Sequence, residues 1–257
     1  MKLGKSSFNL TDKVALITGG NGGIGFAIAK GLGQAGAKIV VAGRNNDKSS
    51  QASKKLVGLG ISAIPIPIDV TKGESVFEAF QETVTNFGRL NILVNNAGIA
   101  VRKMPQDYNP QEWHDVINTN LMGAHLCCQQ AYPLMSESGG GKIINIGSMT
   151  SIFGSDWVSP YAASKGGIVQ LTKSLAIAWA NQNIQVNSIL PGWIHTDLTK
   201  TYKTTRMERY LEIKKRIPIG HWGEPDDIAG AAVFLSSSAS DYVTGSSITV
   251  DGGYSIN

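Results

Sequence analysis

Cysteine is nearly absent from this chain. Its 257 residues include two, the neighbours Cys127 and Cys128. Adjacent side chains on a helix point in different directions, so no structural disulfide is expected between them. Histidine and cysteine nowhere cluster at zinc-ligand spacing, which leaves no candidate metal site. Charge is sparse as well: Lys+Arg 23 against Asp+Glu 19 gives a formal net charge of +4. The densest basic stretch, Lys203, Arg206, Arg209, Lys214, Lys215 and Arg216, is interleaved with Glu208 and Glu212. That pattern reads as a solvated helix face and argues against a nucleic-acid partner. No apolar run approaches the ~18 residues of a membrane span. The opening, MKLGKSSFNLTDK, lacks the apolar core of a signal peptide. A cytoplasmic protein with no membrane partner is the expectation.

What the chain does have is glycine, 30 residues of it, and 42% hydrophobic residues, ample for a core. Short apolar runs at 14–17, 37–42, 62–68, 91–94, 142–146, 184–190 and 247–250 read as buried strands. Helical patterns fall between them at 24–34, 47–59, 72–87, 115–135, 160–180 and 225–235. Pro65 and Pro67 in the third run are unusual for a central strand. Strands that are apolar without alternation, each followed by a helix, predict an α/β architecture. The expectation is a single-domain Rossmann fold over 1–257, doubly wound, with a mostly parallel seven-stranded sheet and helices on both faces. The long irregular stretch 192–223 reads as a substrate lid.

Two patterns carry chemistry. Thr18-Gly19-Gly20-Asn21-Gly22-Gly23-Ile24-Gly25 follows the first strand and opens the first helix. Its glycines permit a tight turn and let backbone N–H groups approach a pyrophosphate at the helix N-terminus. Tyr161 and Lys165 stand one helical turn apart on a shared face. An ammonium beside a phenol favours phenolate and lowers the tyrosine pKa, which makes the phenol a usable proton donor and acceptor near neutral pH. Ser148 offers a hydroxyl to hold a carbonyl or alcohol oxygen beside it.

To these the chain adds Asn95-Asn96-Ala97-Gly98, Asn120, Pro191-Gly192 and Asp251-Gly252-Gly253. In this order the motifs resemble those of the short-chain dehydrogenase/reductase family over essentially the whole length. The resemblance implies roles residue by residue. Tyr161 would be the general acid/base. Lys165 would lower its pKa and bind the nicotinamide ribose, Ser148 would orient the substrate oxygen, and Asn120 would hold a water linking Lys165 to solvent. Cofactor contacts are implied at Gly19, Asn21, Gly23, Ile24 and Gly25 in the turn, and at Asp69 and Val70 near the adenine. Asn95, Ala97 and Gly98 would line the adenosine ribose, while Pro191, Gly192, Ile194 and Thr196 would lead to the carboxamide.

The end of the second strand decides the cofactor. NAD enzymes tend to carry an acid there, but this chain reads Gly43-Arg44-Asn45. A carboxylate would repel a 2′-phosphate, whereas arginine can hold it by a forked contact. NADP is expected through Arg44 and Asn45, with NAD the alternative. Many NADP-using members carry a basic residue just before the second motif glycine, where this chain has Gly22. The stretches at 140–146, 216–223 and 240–243 resemble the gluconate 5-dehydrogenase and ketodeoxygluconate dehydrogenase branch. That implies interconversion of a secondary alcohol and a ketone on a polyol, sugar acid or small hydroxy-ketone. Arg102, Ser148, Thr150, Trp157 and Trp193 would be its substrate contacts. A 3-oxoacyl-carrier-protein reductase is an alternative, and a non-catalytic NADP-binding sensor another, although such sensors typically lack the Tyr or Lys. The resemblance also implies a homotetramer. The pattern at 160–180 is apolar on more than one face and so must bury more than one.

Overall fold

Every short apolar run becomes a strand, and all seven join one sheet. In the computed structural model the strands are β1 (Val14–Thr18), β2 (Lys38–Gly43), β3 (Ala63–Pro67), β4 (Ile92–Asn95), β5 (Gly141–Ile146), β6 (Ile184–Pro191) and β7 (Ser247–Val250). Their order is β3-β2-β1-β4-β5-β6-β7, and every pairing is parallel. The helices are α1 (Gly23–Gln34), α2 (Asn46–Gly58), α3 (Gly73–Phe87), α4 (Pro110–Ile117), α5 (Gly123–Glu137), α6 (Ser159–Trp179), α7 (Thr201–Thr205), α8 (Met207–Arg216) and α9 (Asp226–Ser236). The structure describes residues 5–257; the first four residues of the opening segment lie outside the described residues.

Parallel strands covered on both faces must be apolar on both, and β1 shows this residue by residue. Ala15 and Ile17 pack with Ile28 and Leu32 of α1, Leu56 of α2 and Ile228 of α9. Val14 and Leu16 point the other way, toward Phe80 of α3 and Cys127, Cys128 and Met135 of α5. Each such side chain fully buried is worth about 1.5–3 kcal/mol. Both cysteines are free and buried.

Pro65 and Pro67 fit because β3 lies at the sheet edge and pairs only with β2, so the N–H they lack would have faced outward. The helix expected at 115–135 needs correction. It begins at Pro110, where Asn109 and Glu112 form a reciprocal capping box. It is then interrupted by a π-turn at Asn118–Met122 before α5. The stretch 192–223 is not irregular throughout, since it contains α7 and α8. Among the described residues no helix is long and apolar enough to cross a membrane, and no His/Cys/Asp/Glu group is arranged to hold a metal.

Strand order reverses between β1 and β4. Helices after β1 and β4 therefore depart to opposite faces, and a crevice opens beyond the carboxyl ends of the central strands.

Candidate active site

The loops above that crevice enclose a cleft of about 880 Å³, near the upper end of the roughly 300–1,000 Å³ usual for small-molecule sites. All but three of the residues expected at a site line it. The exceptions are Gly25, Asn95 and Asn120.

Tyr161 enters from the first turn of α6, with Lys165 one turn further on. The Lys165 Nζ lies 5.6 Å from the centre of the Tyr161 ring and donates to the Ile146 carbonyl at 2.6 Å. Lys165 is 4% exposed, and burial pulls its pKa down to about 8. Burial likewise raises the Tyr161 pKa; the facing Ser148 hydroxyl and the charge of Arg102 counteract this without reversing it. The lowering of the Tyr161 pKa by Lys165 expected from spacing is thus not found. The ammonium is itself desolvated and is directed at a backbone carbonyl.

Ser148 ends the turn after β5, and its Oγ accepts from Thr150 N at 3.1 Å. Ser151, which the sequence did not single out, fastens this turn to α6. Its Oγ accepts from Ser148 N at 3.2 Å and donates to the Lys165 carbonyl at 2.7 Å.

Asn120 stands behind the cleft. The π-turn brings it inward, where its Oδ1 accepts from Ile99 N at 2.8 Å and its Nδ2 donates to Ile99 O at 3.0 Å and Ser164 Oγ at 3.1 Å. A Cβ on Gly98 would lie 3.2 Å from Asn120 Oδ1 and 3.8 Å from Lys165 Nζ. A side chain at position 98 would crowd the Asn120 amide.

At the glycine-rich turn, the N-cap of α1 is Gly22, which offers no side-chain cap, so the first N–H groups of the helix keep their capacity for an anion. Asn96, not Asn95, borders the cleft here. Its Nδ2 donates to the Thr18 and Gly19 carbonyls at 3.0 and 3.1 Å, and Thr18 Oγ1 accepts from the N–H of Asn96 and Ala97. Asn95 points into the core instead, donating to Asn145 Oδ1 at 2.9 Å across β4 and β5. Gly25 serves packing: a Cβ there would strike Gly19 O and the Asn96 side chain.

The far end of the cleft is rimmed by Arg44 and Asp69. Partial burial raises the Asp69 pKa. The Thr71 hydroxyl and N–H and the charges of Arg44 and Lys72 outweigh that, so its carboxyl titrates below the ordinary range. A Cβ on Gly43 would meet Asn21 Nδ2 at 2.6 Å and Ser49 Oγ at 3.1 Å. Side chains already occupy the space an acidic residue would need.

Over the opposite end lies the segment 192–223. Its two ends are pinned together, with His195 N donating to Gly223 O and Gly223 N to Trp193 O, both at 2.9 Å. Between them Trp193, Tyr202, Tyr210 and Trp222 pack ring on ring at 4.7–5.5 Å. Trp157 joins the same cluster against Tyr202 at 6.0 Å. Arg102 donates to Leu198 O at 2.9 Å and lies over the Tyr202 ring, so it fastens this segment as well as lining the cleft. Thr150 Oγ1 and Trp193 Nε1 are buried at the lining with no protein partner among the described residues.

Comparison with known proteins agrees with this geometry. The model of a family described as enoyl-(acyl carrier protein) reductase matches residues 19–255. The chain is 42% identical to a 5-keto-D-gluconate 5-reductase of Escherichia coli K12, over 96% of both chains. It is 43% identical to a 2-dehydro-3-deoxy-D-gluconate 5-dehydrogenase of Bacillus subtilis 168, again over 96% of both. A crystal structure of a gluconate 5-dehydrogenase from Burkholderia cenocepacia J2315, in complex with NADP and tartrate, matches with a TM-score of 0.95 at 38% identity. That match covers 98% of this chain and 99% of the other. With a parallel sheet, an uncapped glycine turn and a Ser–Tyr–Lys cluster in one cleft, the chain belongs to the short-chain dehydrogenase/reductase family.

Proposed function

We propose that this protein is an NADP(H)-dependent oxidoreductase that interconverts the secondary alcohol and the ketone of a small sugar acid. The observation that carries the reading is the meeting of Ser148, Tyr161 and Lys165 with the open α1 N-terminus in one cleft. The names of the relatives support the substrate class, and the NADP complex of one supports the cofactor. The residues present fit that cofactor. Uncapped N–H groups suit a pyrophosphate, Arg44 suits a 2′-phosphate, and Gly43 places no competing carboxylate at the end of β2.

When bound, the nicotinamide supplies the hydride acceptor for oxidation or the donor for reduction. Tyr161 handles the proton. In oxidation its phenolic oxygen takes the proton of the substrate hydroxyl; in reduction it returns one to the carbonyl oxygen. The Ser148 hydroxyl holds that oxygen in place. Lys165, mostly charged below its pKa of about 8, binds the neighbouring ribose. Asn120 braces the Ile99 backbone and Ser164 behind these groups. The aromatic lid excludes water, and Arg102 pairs the substrate carboxylate. The protein is further proposed to assemble as a homotetramer.

The test is NADPH oxidation with 5-keto-D-gluconate and with a neutral ketone of similar size. Tyr161→Phe should abolish turnover while leaving NADPH binding within about twofold of wild type. Arg102→Ala should lower kcat/KM about tenfold or more on the keto acid, and much less on the neutral ketone. Retained turnover in Tyr161→Phe removes the proton donor from its role. Equal losses on both substrates remove Arg102 from the carboxylate.

A further inference from the structure

Gly22 contributes no side chain to the turn, yet the space in front of it is filled. A Cβ built on Gly22 would lie 3.1 Å from Lys48 Nζ and 3.3 Å from its Cε. Lys48 comes from the first turn of α2, set there by Asn45, whose Oδ1 accepts from Lys48 N at 2.9 Å. The α2 cap thus folds this lysine back across the mouth of the cleft, which both Lys48 and Arg44 line. Among the described residues Lys48 Nζ has one charged partner, Asp197 Oδ2 at 3.4 Å, next to Thr196, which packs against Gly23 of the same turn. Both side chains are open to water, 49% and 78% exposed, and such pairs contribute little to stability. A dianion arriving between Arg44 and Lys48 therefore competes against a weak contact.

We infer that Lys48 is the second cationic ligand of the cofactor 2′-phosphate, exchanging Asp197 for that phosphate when NADP binds. The inference rests on the NADP reading above. Arg44 approaches from the end of β2 and Lys48 from the Gly22 side, so the two cations flank the phosphate. A nucleotide with a free 2′-hydroxyl gives Lys48 no reason to leave Asp197. Asp197 is then an opponent of 2′-phosphate binding, by holding the ammonium and by like charge. Asp47, exposed on the same first turn of α2, adds a second negative charge on that turn.

Calorimetry with 2′,5′-ADP and 5′-AMP tests this without turnover. Wild type should bind 2′,5′-ADP at least tenfold more tightly. Lys48→Met should remove about tenfold of that preference, a loss in line with a charge-assisted contact, and leave 5′-AMP unchanged. Lys48→Arg should restore most of it. Asp197→Asn should tighten 2′,5′-ADP severalfold and leave 5′-AMP alone. If wild type prefers neither nucleotide, the NADP reading fails and this inference with it. If wild type discriminates and Lys48→Met discriminates equally, or loses both nucleotides alike, the assignment of Lys48 alone is overturned. Weaker 2′,5′-ADP binding by Asp197→Asn would overturn the exchange.

Discussion

Lys165 is a charged group held where water does not reach, so replacing it by methionine should make the protein more stable and inactive at once. Its pKa falls from 10.5 to about 8. At about 1.4 kcal/mol per pH unit, that is a cost to folding on the order of 3 kcal/mol at pH 7. Lys165→Met also loses the charge-assisted hydrogen bond from Nζ to Ile146 O, worth about 2 kcal/mol. The net expectation is a gain of about 1 kcal/mol. The pH dependence gives the sharper test. Below about pH 8 the lysine is protonated folded and unfolded, and the full cost is present. Between about 8 and 10.5 the folded protein has released its proton while the unfolded chain keeps it, so wild-type stability climbs with pH. At pH 9.5 the remaining cost is about 1 kcal/mol, and the advantage of the variant should vanish. Urea unfolding of both proteins at pH 7 and pH 9.5, at one protein concentration, measures this. A variant no more stable than wild type at pH 7, or a difference independent of pH, would refute the argument that burial sets the Lys165 pKa.

Two further outcomes follow from the packing. Gly25→Ala, whose Cβ would strike Gly19 O and the Asn96 side chain, should cost about 1–3 kcal/mol in thermal or urea unfolding and weaken NADPH binding. Gly58→Ala, which meets nothing within 4 Å, should be neutral or stabilise by up to about 1 kcal/mol. The homotetramer should appear in light scattering at micromolar protein. On α6, Ile177 is 83% exposed in the single chain, and Ile177→Glu should shift the mass toward dimer or monomer while leaving the monomer fold intact by circular dichroism.

Much of this protein is written in periodicities that need no partner to be read. Runs such as Val14–Thr18 are apolar on both faces, and that alone demands a sheet covered on both sides. Tyr161 and Lys165 share a helix face by spacing, and the glycines between Thr18 and Gly25 announce a turn where backbone must come close to something. Wherever the answer depended on a neighbour distant in sequence, the reading ran out. Asn95 and Asn96 are adjacent and chemically identical. Pleating sends one into the core against Asn145 and leaves the other at the cleft, and one residue of register decides which. Asn120 reaches its place through a π-turn inside a pattern that looks continuously helical. The Tyr161 pKa moves opposite to the expectation from spacing, because desolvation is a property of the packed surroundings and outweighs the Ser148 hydroxyl and the charge of Arg102. Lys48, 26 residues further along the chain, meets Gly22 only because the fold sets the first turn of α2 beside the glycine-rich turn. Local chemistry and period lie within a few residues and are legible in the chain. Burial, side-chain facing and the meeting of remote charges are set by tertiary packing, and they decide how the site is tuned.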